Sequence, residues 1–340
     1  MQRKRKHITS TSLYRFSILS LLLFVVLCSA YSAFHRGRAG IIITGDSCCV
    51  RAMEPFTGTP SGGAHYPQAL NLYHDSLPEV SIYSMVIPTS VELYCPDEAR
   101  SLVRSEAAVM QAMYDSLRGI TPVNILPLMM QHKDKCIYAR TDHHWLPLAA
   151  YYAAQEFARV ARVPFRDLSA YDEQVVRDVV GTMYKFSGDL SVKRAPEDFV
   201  YYTPKDTTYT TTYVGHKPGR GRGVYTLTEP FEGPFFIRYK DGASSAYCTF
   251  MGGDTRTTHV KAFGKNHRRL MIVKDSYGNA LPGYLFYSFE DIYVVDFRYF
   301  QKNIIAYVRE NGITDILFAN NMQHAYNQKT SAGIQKLLYR

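Results

Sequence analysis

Short apolar runs alternate along this chain with stretches that are amphipathic at helical spacing, and that alternation predicts a parallel sheet with helices on its faces. Ile41-Ile42-Ile43-Thr44 is a β-branched run ending at Gly45-Asp46-Ser47, the pattern of a buried strand that delivers polar groups at its carboxyl end. Residues 80–87 (VSIYSMVI) read as the next strand, closed by Pro88. From Asp97 onward, Ala99, Val103, Ala107, Met110, Tyr114 and Leu117 share one stripe, which predicts a helix ended by Gly119. A third strand is expected through Val123-Asn124-Ile125-Leu126. Pro147 suits the first position of a helix whose inner stripe is Ala150, Ala153, Ala154, Phe157, Val160 and Ala161, with Gln155, Glu156, Arg159 and Arg162 opposite.

Between about 165 and 265 this order breaks down. The Thr/Tyr-rich run 206–214, the turn-rich run 216–223 and the alternating segments near 235–250 predict a β-rich insertion made of hairpins, closed by the flexible loop Phe250-Met251-Gly252-Gly253-Asp254. The remainder predicts βαβαβ, with strands at 270–273, 292–295 and 315–318 and helices over 278–289 and 301–310. In such sheets ligands bind beyond the carboxyl ends of the strands, which is where Ser276, Asp296 and Asn320-Asn321 fall. The fold class is therefore α/β, a mostly parallel sheet flanked by helices, organised as one domain over 36–340 with the insertion inside it.

Charge changes the picture at one end. The formal net charge is +9, yet five of the 39 Lys and Arg lie in the first fifteen positions with no acid among them, leaving 34 against 30 Asp and Glu. The body of the chain is thus only mildly basic, and no nucleic-acid partner is called for. Behind the basic tail, Phe16–Ala30 is an unbroken apolar run that Tyr31-Ser32-Ala33-Phe34 extends toward the roughly 18 to 20 residues a bilayer requires. Residues 1–35 read as a signal or anchor, with the basic end left in the cytoplasm and everything after about residue 35 across the membrane, periplasmic or on the cell surface. Ser29-Ala30 would serve a signal peptidase, so cleavage and retention both stay open. Five cysteines lie beyond this segment without a Cys-x-x-Cys pair, which argues against zinc and leaves disulfide pairing open.

The densest chemistry is Arg140-Thr141-Asp142-His143-His144-Trp145, holding a carboxylate, two imidazoles and the one Trp of the chain. An Asp two residues before a His can orient the imidazole, and an oriented imidazole can take the proton of a serine hydroxyl. Lys274-Asp275-Ser276-Tyr277-Gly278-Asn279 supplies that hydroxyl at a strand end. A triad is defined by geometry and not by chain order, so Asp142, His144 and Ser276 are the candidate catalytic residues, and His143, one position out of step, is expected to face away. The backbone amide of Ser276 and the side-chain amides of Asn320 or Asn279 are candidate oxyanion donors. Arg140, Tyr138 and Tyr277 are candidate substrate contacts. Asp142, His143 and His144 also carry metal-ligating atoms, but neighbours in sequence rarely face one ion, so neither a metal nor another cofactor is expected.

Asp-x-His-Trp, with GGDT, VKDSYGNA and ITDILFANN further on, resembles the bacterial DHHW proteins, a family similar to the alginate O-acetylation proteins, over about residues 40–325. The resemblance implies an SGNH-hydrolase-like fold with a Ser-His-Asp triad in which Asp142 and His144 share the Asp-x-His-Trp motif and Ser276 is the nucleophile. It implies an O-acetyltransferase or acetylesterase acting on a polysaccharide, with a membrane-embedded partner to supply the acyl group. Trp145 belongs to the same motif. Leu146 and Ala149 depart from the pattern after the Trp, where relatives carry Ser or Thr and then Gly. Gly45-Asp46-Ser47 looks like the nucleophile block of ordinary SGNH hydrolases, which offers Ser47 as a rival to Ser276, discounted because DHHW relatives tend to lack a Ser there and the adjacent Cys48-Cys49 is not typical of that block, and puts Asp46 at the rim of the site. The competing function is a catalytically silent polysaccharide-binding or assembly protein that keeps the fold.

Overall fold

The computed structural model describes residues 34–221 and 224–340. The strands β1 (Phe34–Arg36), β2 (Ile42–Thr44) and β3 (Arg51–Met53) make a small antiparallel sheet of their own. β4 (Ser81–Ile87) and β5 (Thr121–Pro122) belong to the main sheet, whereas β6 (Tyr171–Val179) and β7 (Glu197–Pro204) pair only with each other. β8 (Thr210–Pro218), β9 (Tyr225–Leu227), β10 (Phe231–Glu232), β11 (Arg256–Lys261), β12 (Arg269–Lys274), β13 (Asp291–Asp296) and β14 (Asp315–Asn321) complete the main sheet, nine-stranded among the described residues. Its order is β10-β8-β11-β13-β12-β14-β4-β5, with β9 also on β8.

The half from β13 to β5 is parallel and the half from β11 outward is antiparallel, so the sheet is mixed. Each parallel strand is apolar at successive positions because both faces are covered. On β12, Leu270 and Ile272 join one core and Met271 and Val273 the other; Tyr83, Met85 and Ile87 against Ile82 and Val86 repeat the alternation on β4. The first core takes the helix Pro147–Ala161 through Ala150, Ala153, Ala154 and Phe157, and the second takes the helix His65–Ser76 through Tyr66, Leu70 and Tyr73.

The strands expected at 80–87, 270–273, 292–295 and 315–318 and the helices at Pro147 and within 301–310 are present. Others differ for local reasons. The helix expected from Asp97 splits into a 3-10 turn, Asp97–Leu102, and a helix, Glu106–Asp115, since Val103 is extended, the Arg104 N–H donates to the Phe56 carbonyl at 2.7 Å, and Glu92 accepts the Glu106 N–H at 2.8 Å where the second helix starts. The strand expected at 123–126 is not formed: only β5, Thr121–Pro122, pairs just before it, and a helix, Leu126–Gln131, begins at its last residue with Pro127 in the first turn. The helix expected over 278–289 is a pair of 3-10 turns, Ser276–Ala280 and Pro282–Tyr284, in a run interrupted by Gly278, Pro282 and Gly283. Within the β-rich stretch 165–265 the strands divide: β6 and β7 keep to a sheet of their own, whereas β8 and β11 hydrogen-bond into the main sheet beside β13. No helix among the described residues is long and apolar enough to cross a membrane, and the apolar run Phe16–Ala30 lies outside them.

Candidate active site

Two loops build the site, and each holds the other. The apolar run of β12 ends at Lys274, and Asp275 then caps the 3-10 turn Ser276–Ala280, its Oδ1 accepting from the Tyr277 N–H at 3.0 Å. The other oxygen of Asp275 accepts from the Asn321 N–H at 2.9 Å, which ties the serine turn to the end of β14. The loop carrying Asp142 and His144 is closed by backbone bonds from Ala139 to His144 (3.2 Å) and from Leu146 to Ile137 (2.8 Å), just before the helix Pro147–Ala161. The buried Trp145 indole N–H donates to the carbonyl of Tyr277 at 2.9 Å, and the Tyr277 hydroxyl donates back to the carbonyl of His143. A displacement of either loop would strand a buried donor.

Between the loops runs an unbroken chain of hydrogen bonds. Ser276 Oγ lies 2.8 Å from His144 Nε2, and His144 Nδ1 lies 3.2 Å from Asp142 Oδ1. A carboxylate only accepts, so His144 Nδ1 carries a proton, and in the neutral ring Nε2 is free to accept the Ser276 O–H. Tyr247 stacks on His144 with ring centroids 3.9 Å apart and planes 7° apart, fixing the imidazole plane. Asp142 Oδ1 also receives the Thr182 hydroxyl at 2.9 Å and the His143 N–H at 2.6 Å. Gly181 passes so close that a Cβ there would sit 2.4 Å from the Asp142 Cβ, so this position is restricted to glycine by contact.

His143 does not face away. Its Nδ1 lies 3.0 Å from Asp142 Oδ1 and 2.6 Å from Thr182 Oγ1, and its ring packs on that of His144 at 3.8 Å. Thr182 has one proton and gives it to Asp142, so His143 Nδ1 is the donor in the His143–Thr182 pair. Burial disfavours the Asp142 carboxylate, but the two imidazoles outweigh it and hold its pKa well below the ordinary value. Burial, and then the neighbouring His143, lower the pKa of His144; burial lowers that of His143 too, but the hydrogen bond and charge of Asp142 outweigh it and raise the net value. One carboxylate thus separates two imidazoles, leaving His144 the readier to be neutral and to act as a base. The ligating atoms of Asp142, His143 and His144 lie within 4.8 Å of one another, but both nitrogens of His144 are already engaged by Ser276 and Asp142, so this set suits proton transfer better than a metal ion.

The other expected contacts are structural. Asn320 is buried, accepting from Tyr66 Oη at 2.8 Å and turning its amide toward Asp275, while Asn279 gives its amide to Asp254 at 2.8 Å, so one amide proton of each is already engaged within the fold. The backbone N–H of Ser276, at the first position of its turn, remains the candidate donor. Tyr138, Tyr277 and Trp145 are buried in packing, with Tyr138 donating to the Pro88 carbonyl at 2.5 Å. Arg140 is half-buried beside Glu197, on a groove of about 460 Å³. Asp46 and Ser47 are exposed after β2 in the small sheet, whose next strand joins the central loop through the Ala52 N–H to the Arg140 carbonyl at 2.9 Å, and it is Ser276, not Ser47, that meets His144 Nε2.

Residues that sequence reading passed over support the site from the second half of the chain. Glu197 accepts from the N–H groups of Arg140 and Thr141 and from the Thr141 hydroxyl, at 2.6 to 2.9 Å, and so shapes the loop just before Asp142. Behind Ser276, Lys274 is 1% exposed and bridges Asp296 (2.9 Å) and Asp254 (3.2 Å), which Arg298 also joins. A lysine at the inner end of an apolar strand was the available signal for that cluster; Thr182, Gly181 and Tyr247 carried none.

The profile of the DHHW proteins matches residues 68–295. No curated protein matches the chain in sequence. Among solved structures, a DHHW family protein from Eubacterium siraeum is similar at 33% identity and a TM-score of 0.81, over 90% of this chain and 98% of that one. Bacillus cereus PatB1 with a sulfonyl adduct is similar in fold at 17% identity and a TM-score of 0.66, over 87% of this chain and 97% of that one. The same protein without that description matches at 18% identity and a TM-score of 0.65, over 84% and 97%. With a mixed α/β sheet flanked by helices, an Asp-x-His-Trp loop at its carboxyl edge and these matches over most of its length, the chain belongs to the DHHW protein family.

Proposed function

We propose that this chain is a cell-envelope acyl-transfer enzyme, an O-acetyltransferase or acetylesterase acting on a surface or extracellular polysaccharide through Ser276, His144 and Asp142. The observation that carries the reading is the hydrogen-bond chain from Ser276 Oγ through both nitrogens of His144 to the buried Asp142. His144 takes the Ser276 proton as Oγ attacks the acetyl carbonyl, and then returns it to the leaving oxygen as the tetrahedral intermediate collapses to acetyl-Ser276. Asp142 fixes the tautomer and offsets the charge of the imidazolium. A glycan hydroxyl or water, deprotonated by His144, then removes the acetyl group, and the proton passes to Ser276 Oγ. The Ser276 backbone N–H faces the developing oxyanion.

Two further points support this reading. PatB1, of the same fold, is described with a sulfonyl adduct, and sulfonyl reagents trap nucleophilic side chains. The basic, apolar amino-terminal segment supports anchoring or export, which brings the domain to envelope glycans, with the acyl group delivered by a membrane-embedded partner. The test is hydrolysis of a chromogenic acetyl ester, with mass spectrometry of the trapped acyl-enzyme. Turnover and a label on Ser276 are expected, and both are lost in Ser276→Ala and His144→Ala. A folded protein with neither turnover nor label is instead a silent glycan-binding or assembly protein.

A further inference from the structure

Both imidazoles of the central loop are anchored by Nδ1 to the same oxygen of Asp142, at 3.0 and 3.2 Å, and their rings lie 3.8 Å apart with planes tilted by 37°. Their Nε2 edges therefore point away from the carboxylate side by side. That of His144 meets Ser276, whereas that of His143 makes no hydrogen bond among the described residues. The His143 side chain is 25% exposed, and the ring of Phe186, 42% exposed in the short helix Met183–Ser187, lies 5.7 Å from it. Phe186 thus sets an apolar ring face beside the unbonded Nε2 edge.

Resting on the acyl-transfer reading, we infer that His143 and Phe186 form the acceptor subsite and select an alcohol carrying a second hydroxyl on the neighbouring carbon, as a pyranose ring does. During transfer the acceptor hydroxyl gives its proton to His144 Nε2 while its oxygen bonds to the acetyl carbon. The bond from that carbon to Ser276 Oγ breaks, and Oγ recovers the proton from His144. The adjacent hydroxyl, about one hydrogen-bond length away on the ring, hydrogen-bonds to His143 Nε2, donating to the neutral ring or accepting from the charged one, while Nδ1 keeps its proton toward Thr182 and Asp142. Phe186 covers the apolar C–H face of the ring. A simple alcohol makes the first of these bonds and lacks the second.

The experiment compares acetyl transfer from a chromogenic ester to trans-1,2-cyclohexanediol and to cyclohexanol, which offer Phe186 the same ring face and differ in the neighbouring hydroxyl. After correction for the two equivalent hydroxyls, wild type favours the diol by about five- to tenfold in kcat/KM, one hydrogen bond's worth. The ratio falls toward one in His143→Phe, and Phe186→Ala raises KM for both acceptors alike. An unchanged ratio in His143→Phe overturns the inference. A second readout needs no turnover: in Ser276→Ala protein, titration with methyl glucopyranoside shifts the nitrogen resonance of His143 Nε2, and a resonance that stays fixed also overturns it. Labelling of wild-type Ser276 separately judges the acyl-transfer reading, so the two fail distinguishably.

Discussion

Two polar clusters flank the end of β12, and they treat charge in opposite ways. In the cluster of Lys274, Arg298, Asp254 and Asp296, each carboxylate meets full cations, and the lysine is sealed from solvent. Burial works against its ionisation, yet Asp296 and Asp254 raise the net pKa of Lys274, while Lys274 and Arg298 hold Asp254 well below the ordinary carboxylate range against the same burial. Lys274 and Asp254 are thus each held in the charged form by the other cluster members. In the other cluster one carboxylate is shared between two imidazoles, and the proton on His144 is held loosely enough to move. The first pairing fixes the backbone beneath Ser276; the second leaves a base beside it. Adjacent clusters of similar composition thus do different work, according to whether the cation can lose its proton.

The comparison breaks most visibly at Asp142. Asp142→Asn keeps the shape but deprives His144 of the acceptor that sets its tautomer, and ester hydrolysis is expected to fall by about ten-thousandfold while the melting temperature changes little. Lys274→Met should do the reverse. It leaves Asp254 and Asp296 buried against a single arginine and costs about 3–5 kcal/mol in denaturant unfolding, with activity tracking the folded fraction. Gly181→Ala tests coupling to the active carboxylate alone: the added Cβ displaces Asp142, which is expected to lower kcat about a hundredfold with a smaller loss of stability.

An effect seen only as pH is varied concerns Glu106, a buried carboxyl bonded to Thr89 on the second face of the sheet and pushed up to about 8 by burial. Its folded pKa exceeds its ordinary value of 4.5, so the folded state keeps a proton that the unfolded state has released. Stability should therefore decline as pH rises from about the ordinary value toward 8 and level off above it. Glu106→Gln is expected to flatten that slope in thermal melts taken across the range. A slope that persists would assign it to His143, whose raised pKa gives the same sign.

The parallel strands, the helix opened by Pro147 and the pairing of Asp142 and His144 with Ser276 were legible in the sequence. Periodicity reports burial on each face, and a loop before a helix and a turn after a strand mark where polar groups gather. What sequence could not supply was the partner of each exposed or buried edge. Ile42 and Ile43 read as a core strand of the parallel sheet, yet they lie in a sheet of their own, because an apolar run says that a strand is buried and not against what. β8 and β11 read as an insertion, yet they extend the main sheet, because strand pairing over a long sequence separation depends on closing the loops between them. Asn279, Asn320 and Tyr277 read as site residues from their position, and only packing turned their polar ends inward to Asp254, Asp275 and the His143 carbonyl. The sequence by itself determined the candidate residues and most of the elements that carry them. The tertiary structure decided which donors remained for a substrate, since a buried polar group takes whichever partner the packed chain brings within reach.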